Sequence, residues 1–194
     1  MARNHWGKVI LWIAGLKLSV KGRTELDFSV PRIYVANHSS YMDIPCLFAG
    51  LPVNLYFIAK AEVKKIPFVG VFMMATKMIF LDKASRQKSI KNMNNAGELI
   101  KKGKSVLVFP EGTRSRNGKL QNFKKGVFML AYNSGLSVVP VYLKGTNQVM
   151  PSDALRVKPG LVQMTIGQPI NSAEFSDIQL FIDHTREEML TMQS

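Results

Sequence analysis

Short apolar runs recur along the chain between stretches with helical periodicity. The runs are rich in β-branched residues and lack polar alternation, which is typical of strands covered on both faces. They are Leu18–Lys21, Ile33–Ala36, Leu55–Ala59, Met78–Leu81, Val106–Phe109, Val138–Leu143 and Val162–Ile166. The pattern therefore predicts a sheet of about seven strands.

Helical periodicity marks three further segments. Arg86–Lys102 has one apolar face and is followed by Gly103, and Lys125–Ser134 is followed by Gly135. The sequence Ser176-Asp177-Ile178-Gln179 resembles a capping box that opens a C-terminal helix. The inward positions of that helix are Ile178, Phe181, Ile182, Thr185 and Met189. Strands alternating with helices predict one α/β domain over residues 1–194, with a mostly parallel or mixed sheet flanked by helices.

The N-terminal segment is apolar but short. Val9–Leu16 lies between Lys8 and Lys17, whereas a helix needs roughly 20 residues to cross a bilayer. Two tryptophans with basic neighbours favour an amphipathic interfacial helix in the lipid headgroup layer, and a core helix is the alternative. We expect the interfacial helix over residues 1–17, the catalytic core over 18–170 and the C-terminal helix over 171–194. A hydrophobic helix upstream of Met1 is also compatible with this pattern.

Composition narrows the partners of this domain. The chain has 194 residues, and the 46% that are hydrophobic exclude disorder. Its net charge is +13. Residues from 153 onward hold six acids and three bases, which leaves 23 bases and 7 acids, a net of +16, in residues 1–152. Such a basic domain requires a polyanionic partner, either nucleic acid or anionic lipid.

Cysteine usage bears on the compartment. Cys46 is the one cysteine and stands in an apolar run, so neither a disulfide framework nor a zinc site is expected, and we predict a buried side chain. No signal peptide is visible, and we expect a reducing, cytosol-facing location.

His38 is the histidine best placed for chemistry. It follows the strand Ile33–Ala36 in the sequence Asn37-His38-Ser39-Ser40-Tyr41-Met42-Asp43. Five residues allow the Asp43 carboxylate to fold back across a turn and orient the imidazole, which is the arrangement of a general base. A purely structural hydrogen bond is the alternative. His5 and His184 are expected to be solvated.

A second polar segment follows the strand Val106–Phe109. It reads Pro110-Glu111-Gly112-Thr113-Arg114-Ser115-Arg116. Ligands of α/β domains bind at the carboxyl ends of strands. Gly112 permits close backbone approach, the hydroxyl of Thr113 can donate a hydrogen bond, and Arg114 can grip a phosphate with its planar fork. An ordinary polar loop is the alternative.

Four blocks in this order resemble the glycerolipid acyltransferases of the lysophosphatidate acyltransferase type. Asn37 to Asp43 resembles the family's His-x4-Asp signature, and Phe109 to Ser115 is close to a full match to its third block. Weaker matches are Lys77 to Lys83 and Val139 to Val141. Connecting residues are similar too, notably Phe123-Lys124-Lys125-Gly126. The second block ends in Lys83, where the family usually has arginine.

The resemblance implies transfer of a fatty acyl group from a thioester to the free hydroxyl of 1-acyl-glycerol-3-phosphate, giving phosphatidic acid. His38 would be the general base and Asp43 its orienting carboxylate, without an acyl-enzyme. Substrate binding would fall to Lys60, Lys83, Glu111, Gly112, Thr113 and Arg114. The donor would be acyl carrier protein or coenzyme A, with no metal or other cofactor. The apolar residues Leu47, Phe48, Leu51, Phe68, Val71, Phe72 and Met73 would line an acyl groove or pack in the core.

Three other functions remain open at this point. The first is an acyltransferase for a different lyso-lipid. The second is a nucleic-acid-binding module, which the charge allows although no reading helix or zinc finger is recognisable. The third is a hydrolase that uses His38 and Asp43 on water or on a serine such as Ser39, although no Gly-x-Ser-x-Gly elbow is present. The combined pattern favours a peripheral or monotopic enzyme on the cytoplasmic face of an anionic membrane.

Overall fold

The computed structural model describes residues 2–60, 78–81, 97–154 and 156–193. Its helices are α1 (Ala2–Ile13), α2 (Asp43–Gly50), α3 (Lys125–Asn133), α4 (Thr146–Val149) and α5 (Ile178–Thr191). Its strands are β1 (Leu16–Lys21), β2 (Ile33–Ala36), β3 (Leu55–Lys60), β4 (Ile79–Leu81), β5 (Ser105–Val108), β6 (Ser137–Lys144), β7 (Gly160–Ile166) and β8 (Ile170–Asn171). Residues 97–101 are also helical.

All of these strands join one mixed sheet. The spatial order is β1-β7-β6-β2-β5-β3-β4, and the two-residue β8 pairs with β6. β2 is parallel to both β5 and β6, and β3 is parallel to β5 and β4. β7 is antiparallel to β6 and parallel to β1. The predicted α/β sheet of about seven strands is therefore confirmed.

The central strands explain why the sequence pattern was informative. Every residue of β2 and of β5 is buried, because helices cover both faces of the sheet there. On one face α1 and α2 contribute Leu11, Leu47 and Phe48 to a core cluster. On the other face Phe128 of α3 and Phe181 of α5 pack over the sheet.

The structure places some of the residues that were expected to line an acyl groove or to pack in the core. Leu47, Phe48 and Leu51 are at most 1% exposed, so these three residues pack in the core rather than line a groove. Phe68, Val71, Phe72 and Met73 lie outside the described residues, as does the first part of the predicted helix Arg86–Lys102. Cys46 is buried, as predicted.

The start of α5 differs from the predicted capping box. Asp177, not Ser176, is the N-cap, and its carboxylate accepts from the backbone N–H groups of Gln179 and Leu180 at 2.6 and 3.0 Å. The Gln179 amide donates to Asp183 one turn on, instead of reaching back to the cap. The expected inward positions Phe181, Ile182, Thr185 and Met189 are buried, and Ile178 is half-buried.

The N-terminal helix is shorter than the predicted interfacial helix of residues 1–17. α1 ends at Ile13, and Gly15 adopts a positive φ of 67° that turns the chain into β1. A residue without a side chain is favoured in this left-handed conformation. Leu16 and Lys17 therefore belong to an edge strand paired with β7.

The two faces of α1 have different surroundings. One face packs in the core: a Cβ on Gly7 would lie 2.7 Å from the Pro45 carbonyl oxygen, and the Trp6 ring meets the Phe48 ring edge-on at 5.9 Å. The other face leaves Trp12 81% and Ile13 69% exposed. Among the described residues, no helix has the length and apolarity needed to cross a membrane.

Sheet direction brings several chain segments to one edge, which we call the catalytic edge. The carboxyl ends of the parallel strands β2, β5 and β6 meet there, followed by His38, Glu111 and Thr146 respectively. Because β7 and β1 run in the opposite direction to β6, their first residues lie at the same edge. The junction of α1 and β1 is therefore at the catalytic edge.

Candidate active site

Asn37 continues the pairing of β2 beyond the end of the strand. Its side-chain amide accepts from the backbone N–H of Leu143 at 2.7 Å and donates to the Leu143 carbonyl at 2.9 Å. Asn37 is only 3% exposed, so both of its polar groups are satisfied inside the protein. These bonds fix the direction in which the chain leaves the sheet at His38.

The next turn brings the His38 imidazole against the Asp43 carboxylate. His38 Nδ1 and Asp43 Oδ2 are 2.7 Å apart, and Asp43 is fully buried. The same oxygen accepts from the backbone N–H groups of Ser39 and Ser40 at 2.8 and 2.9 Å. Because a carboxylate only accepts, the proton lies on Nδ1 and Nε2 is left as the basic nitrogen. The predicted contact across the turn is confirmed.

Phe109 fixes the plane of the imidazole. Its ring stacks on the His38 ring with centroids 3.9 Å apart and an interplanar angle of 12°. The His38 side chain keeps 17% of its surface exposed. The imidazole has little rotational freedom, because one ring nitrogen is bound to Asp43 and one ring face is covered by Phe109.

The loop after β5 also binds the His38 backbone. Glu111 Oε1 accepts from the backbone N–H of His38 at 2.8 Å, and the backbone N–H of Ser115 donates to the His38 carbonyl at 2.7 Å. Glu111 Oε2 accepts from the backbone N–H of Gln121 at 3.1 Å. Glu111 is only 4% exposed, and this burial raises the pKa of its carboxyl above the ordinary value.

Arg114 is held in a defined orientation. Its guanidinium donates to the Ser152 carbonyl at 2.8 Å and to the Tyr41 hydroxyl at 3.0 Å. The guanidinium carbon lies 3.6 Å from the centroid of the Tyr41 ring, a distance at which a cation is attracted to the ring face. Arg114 lines an open cleft of about 760 Å³ together with Thr113, Ser115, Arg116, Asn117, Gln121, Ser152 and Asp153.

Gly112 allows a lysine side chain to lie along this loop. Its φ is +73°, and a Cβ at this position would lie 2.8 Å from Lys124 Nζ and 3.0 Å from Lys124 Cε. The backbone N–H of Lys124 donates to the Pro110 carbonyl at 2.9 Å, which ties the start of α3 to the loop. Lys124 thus adds a cation beside Gly112.

The chain is similar in sequence to known proteins. A family model described as Acyltransferase matches residues 17–144. This chain belongs to the acyltransferase family. It is 36% identical over 160 residues to the chloroplastic 1-acyl-sn-glycerol-3-phosphate acyltransferase LPAT1 of Arabidopsis thaliana, covering 81% of this chain and 45% of that protein. It is 34% identical over 187 residues to the 1-acyl-sn-glycerol-3-phosphate acyltransferase of Saccharomyces cerevisiae, covering 94% and 61%.

A solved structure extends the likeness to the fold. The 1-acyl-sn-glycerophosphate acyltransferase PlsC of Thermotoga maritima superposes with a TM-score of 0.84 at 32% identity, over 97% of this chain and 75% of that one. The chain spans about half the length of the Arabidopsis relative and somewhat more of the yeast one.

The structure brings most of the predicted site residues together. His38, Asp43, Glu111, Gly112 and Arg114 surround the end of β2, and Thr113 is exposed in the cleft of Arg114. The backbone of Lys60 ends β3 at the catalytic edge, since β3 is parallel to β5. Lys83 lies outside the described residues.

Four contributors to the site were not predicted from the sequence. Tyr41 and Phe109 belong to the matching blocks. Their aromatic side chains, in the same blocks as His38 and Arg114, could have indicated ring contacts with these two residues. Lys124 stood in a basic run that also suits a solvated helix start. Ser152 contributes only its backbone carbonyl. Every residue has this group, so the identity of residue 152 could not indicate the contact.

Proposed function

We propose that this chain transfers a fatty acyl group from a thioester donor to the free sn-2 hydroxyl of 1-acyl-glycerol-3-phosphate, giving phosphatidic acid. The observation that carries the proposal is the His38 imidazole, bound to a buried carboxylate through Nδ1. The backbone carbonyl of His38 accepts from Ser115, a residue that lines the cleft of Arg114. Relatives from a plant, a yeast and a bacterium that bear this activity in their names support the choice of substrate.

The chain's own residues supply a proton relay for direct transfer. His38 Nε2 accepts the proton of the acceptor hydroxyl as its oxygen forms a bond to the thioester carbonyl carbon. The resulting tetrahedral oxyanion is stabilised by backbone N–H groups at the ends of the strands. It collapses with cleavage of the carbon–sulfur bond, and the leaving thiolate takes the proton back from Nε2. Asp43 stabilises the imidazolium between these two steps.

Cations near the loop after β5 would bind the acceptor phosphate. Arg114 is already oriented by Tyr41 and Ser152, so little side-chain freedom is lost when a phosphate binds. Lys124 lies beside Gly112 and adds a second positive charge. Lys60, Lys83 and Thr113 remain proposed acceptor ligands on the resemblance of their blocks.

The partner surface is proposed to be the cytoplasmic face of an anionic membrane. The exposed apolar residues Trp12 and Ile13 of α1 and Leu161 of β7, which is 55% exposed, lie at the catalytic edge. Lys8 and Lys17 flank this group, as expected for a segment in the headgroup layer. β1 and β2 are three strand spacings apart, or about 14 Å, so the membrane would lie close to His38.

An acyl-transfer assay tests the reaction and its base. Purified wild-type chain is given lysophosphatidate, other lyso-lipids and a phosphate-free monoacylglycerol, each with acyl-coenzyme A and with acyl carrier protein as donor. We expect phosphatidic acid from lysophosphatidate and no product from folded His38→Ala. Preference for the phosphate-free acceptor would overturn the substrate, normal turnover by His38→Ala would overturn the mechanism, and free fatty acid without acylated acceptor would indicate a hydrolase.

Vesicle flotation tests the membrane partner. We expect the wild-type chain to float with vesicles that contain phosphatidylglycerol and Trp12→Ser/Ile13→Ser to stay in the soluble fraction. Leu180→Ser is the matched control, since Leu180 is 51% exposed on α5, away from the catalytic edge. Equal flotation of all three proteins would refute this surface.

A further inference from the structure

Glu111 occupies an unexpected place for a substrate ligand. The resemblance implies that it binds the acceptor, yet it is 4% exposed and does not line the cleft that the described residues form around Arg114. Each of its carboxylate oxygens accepts a backbone N–H, one from His38 at 2.8 Å and one from Gln121 at 3.1 Å. Its hydrogen-bonding capacity is thus directed to the protein itself.

We infer that Glu111 is a positioning residue for His38 and does not bind the acceptor. The inference rests on the proposed function, in which His38 is the general base. In this role Glu111 acts on the backbone of His38, while Asp43 and Phe109 act on its ring. The acceptor phosphate is left to cations such as Arg114.

The sheet explains why the His38 backbone needs such a partner. The parallel pairing of β2 and β5 ends at Val35 and Val108, so His38 has no strand partner on that side. The Glu111 carboxylate takes the place of the missing carbonyl opposite the His38 N–H. The backbone N–H of Ser115 takes the place of the missing donor opposite the His38 carbonyl. Together they give the His38 backbone, three residues beyond Val35, the acceptor and the donor that a neighbouring strand would supply.

The two backbone N–H donors favour a carboxylate over an amide at position 111. Two backbone N–H groups approach two different oxygens of Glu111. The ionised carboxylate only accepts, so both of its oxygens suit these donors. Glutamine would keep one acceptor and place an NH₂ group against the other N–H donor. Aspartate would keep both oxygens but is one methylene shorter. The two substitutions therefore perturb the same contact to different degrees.

Steady-state kinetics separate positioning from acceptor binding. We expect Glu111→Gln to lower kcat about tenfold or more while the KM for lysophosphatidate stays within about twofold of wild type, because one charge-assisted hydrogen bond is lost. Glu111→Asp should recover part of kcat. Glu98→Gln is the matched control, because Glu98 is an exposed carboxylate paired only with Lys101 among its described contacts. A rise in KM with unchanged kcat, or no change in either constant, would overturn the inference.

The His38 amide gives a readout that does not depend on turnover. The chain has three histidines, so ¹⁵N-histidine labelling gives three backbone signals, and the His38 signal is the one lost in His38→Ala. We expect this signal to move upfield in Glu111→Gln and in Glu111→Asp, with the signals of His5 and His184 unchanged. An unmoved His38 signal in the folded variants would refute the contact.

The failure of the inference is distinguishable from failure of the proposed function. If the wild-type chain acylates a different lyso-lipid, the same comparison of kcat and KM is made with that acceptor. If the wild-type chain acylates lysophosphatidate and Glu111→Gln has the same kcat and KM, the proposed function holds and only the positioning role of Glu111 is refuted.

Discussion

Asp43→Asn tests whether the carboxylate stabilises the charge that His38 acquires during the reaction. The pair is neutral–anionic before proton transfer and becomes an ion pair only as Nε2 accepts the proton. At the observed 2.7 Å, two unit charges attract by about 6 kcal/mol at an effective dielectric constant near 20. Since the neutral amide keeps a weaker hydrogen bond, we assign about 3–6 kcal/mol to the lost charge, or about 10²- to 10⁴-fold in kcat.

The same substitution has a smaller effect on stability. Asp43 Oδ1 is buried and makes no hydrogen bond among the described residues, whereas Oδ2 carries all three contacts. In asparagine the oxygen can keep the Oδ2 position, which places the NH₂ group in the unpartnered one. A buried unsatisfied donor costs about 1–3 kcal/mol, so we expect Tm to fall by about 2–12 °C with the fold retained at 25 °C.

The assay follows release of the donor thiol and formation of acylated lipid at saturating acceptor, beside a thermal melt of each protein. Asp183→Asn, an exposed carboxylate on α5, controls for the loss of one negative charge and should match wild type in both measurements. The reasoning is refuted if folded Asp43→Asn keeps kcat within about threefold of wild type, because the charge would then contribute nothing to the transition state.

Three further predictions concern the loop after β5. Phe109→Leu removes the ring stacked on His38 and should lower kcat about 2- to 10-fold at constant KM, since such ring pairs contribute about 0.5–1.5 kcal/mol; unchanged kcat would count against the stack. Gly112→Ala forces a side chain into a φ of +73° and against Lys124, which should cost about 1–2 kcal/mol in urea unfolding and raise the KM for lysophosphatidate. Burial raises the pKa of Glu111 above 4.5, so folding favours its protonated form. The free energy of unfolding of wild type should therefore fall relative to that of Glu111→Gln as pH rises from about 4.5 through the folded pKa. Urea unfolding at a series of pH values measures this, and a relative rise in the stability of wild type over that range would contradict it.

Burial on both faces made the sheet predictable. β2 was predicted with its observed bounds, because its four residues are all buried and apolar. The contact of His38 with Asp43 was predictable for a related reason: a spacing of five residues spans one turn between a strand and a helix. In both cases the information is local in the sequence.

Contacts distant in sequence were not predictable. The orientation of Arg114 depends on a carbonyl 38 residues away. The resemblance of its block to the family's acceptor-binding block places Glu111 at the acceptor, and only the folded structure shows that both of its oxygens accept from backbone N–H groups. Ser176 and Asp177 are both residue types that cap helices, and in the structure Asp177 is the N-cap of α5.

The position of α1 relative to His38 has a consequence for the kinetics. If the chain binds a bilayer through Trp12 and Ile13, as proposed, His38 would stay at a fixed height above the lipid plane, and the acceptor would reach it by lateral diffusion without leaving the membrane. The rate then depends on the mole fraction of lyso-lipid in the surface and not on its bulk concentration. Adding inert neutral lipid at a constant total amount of acceptor would slow the reaction, and the product would return sideways into the leaflet from which the acceptor came.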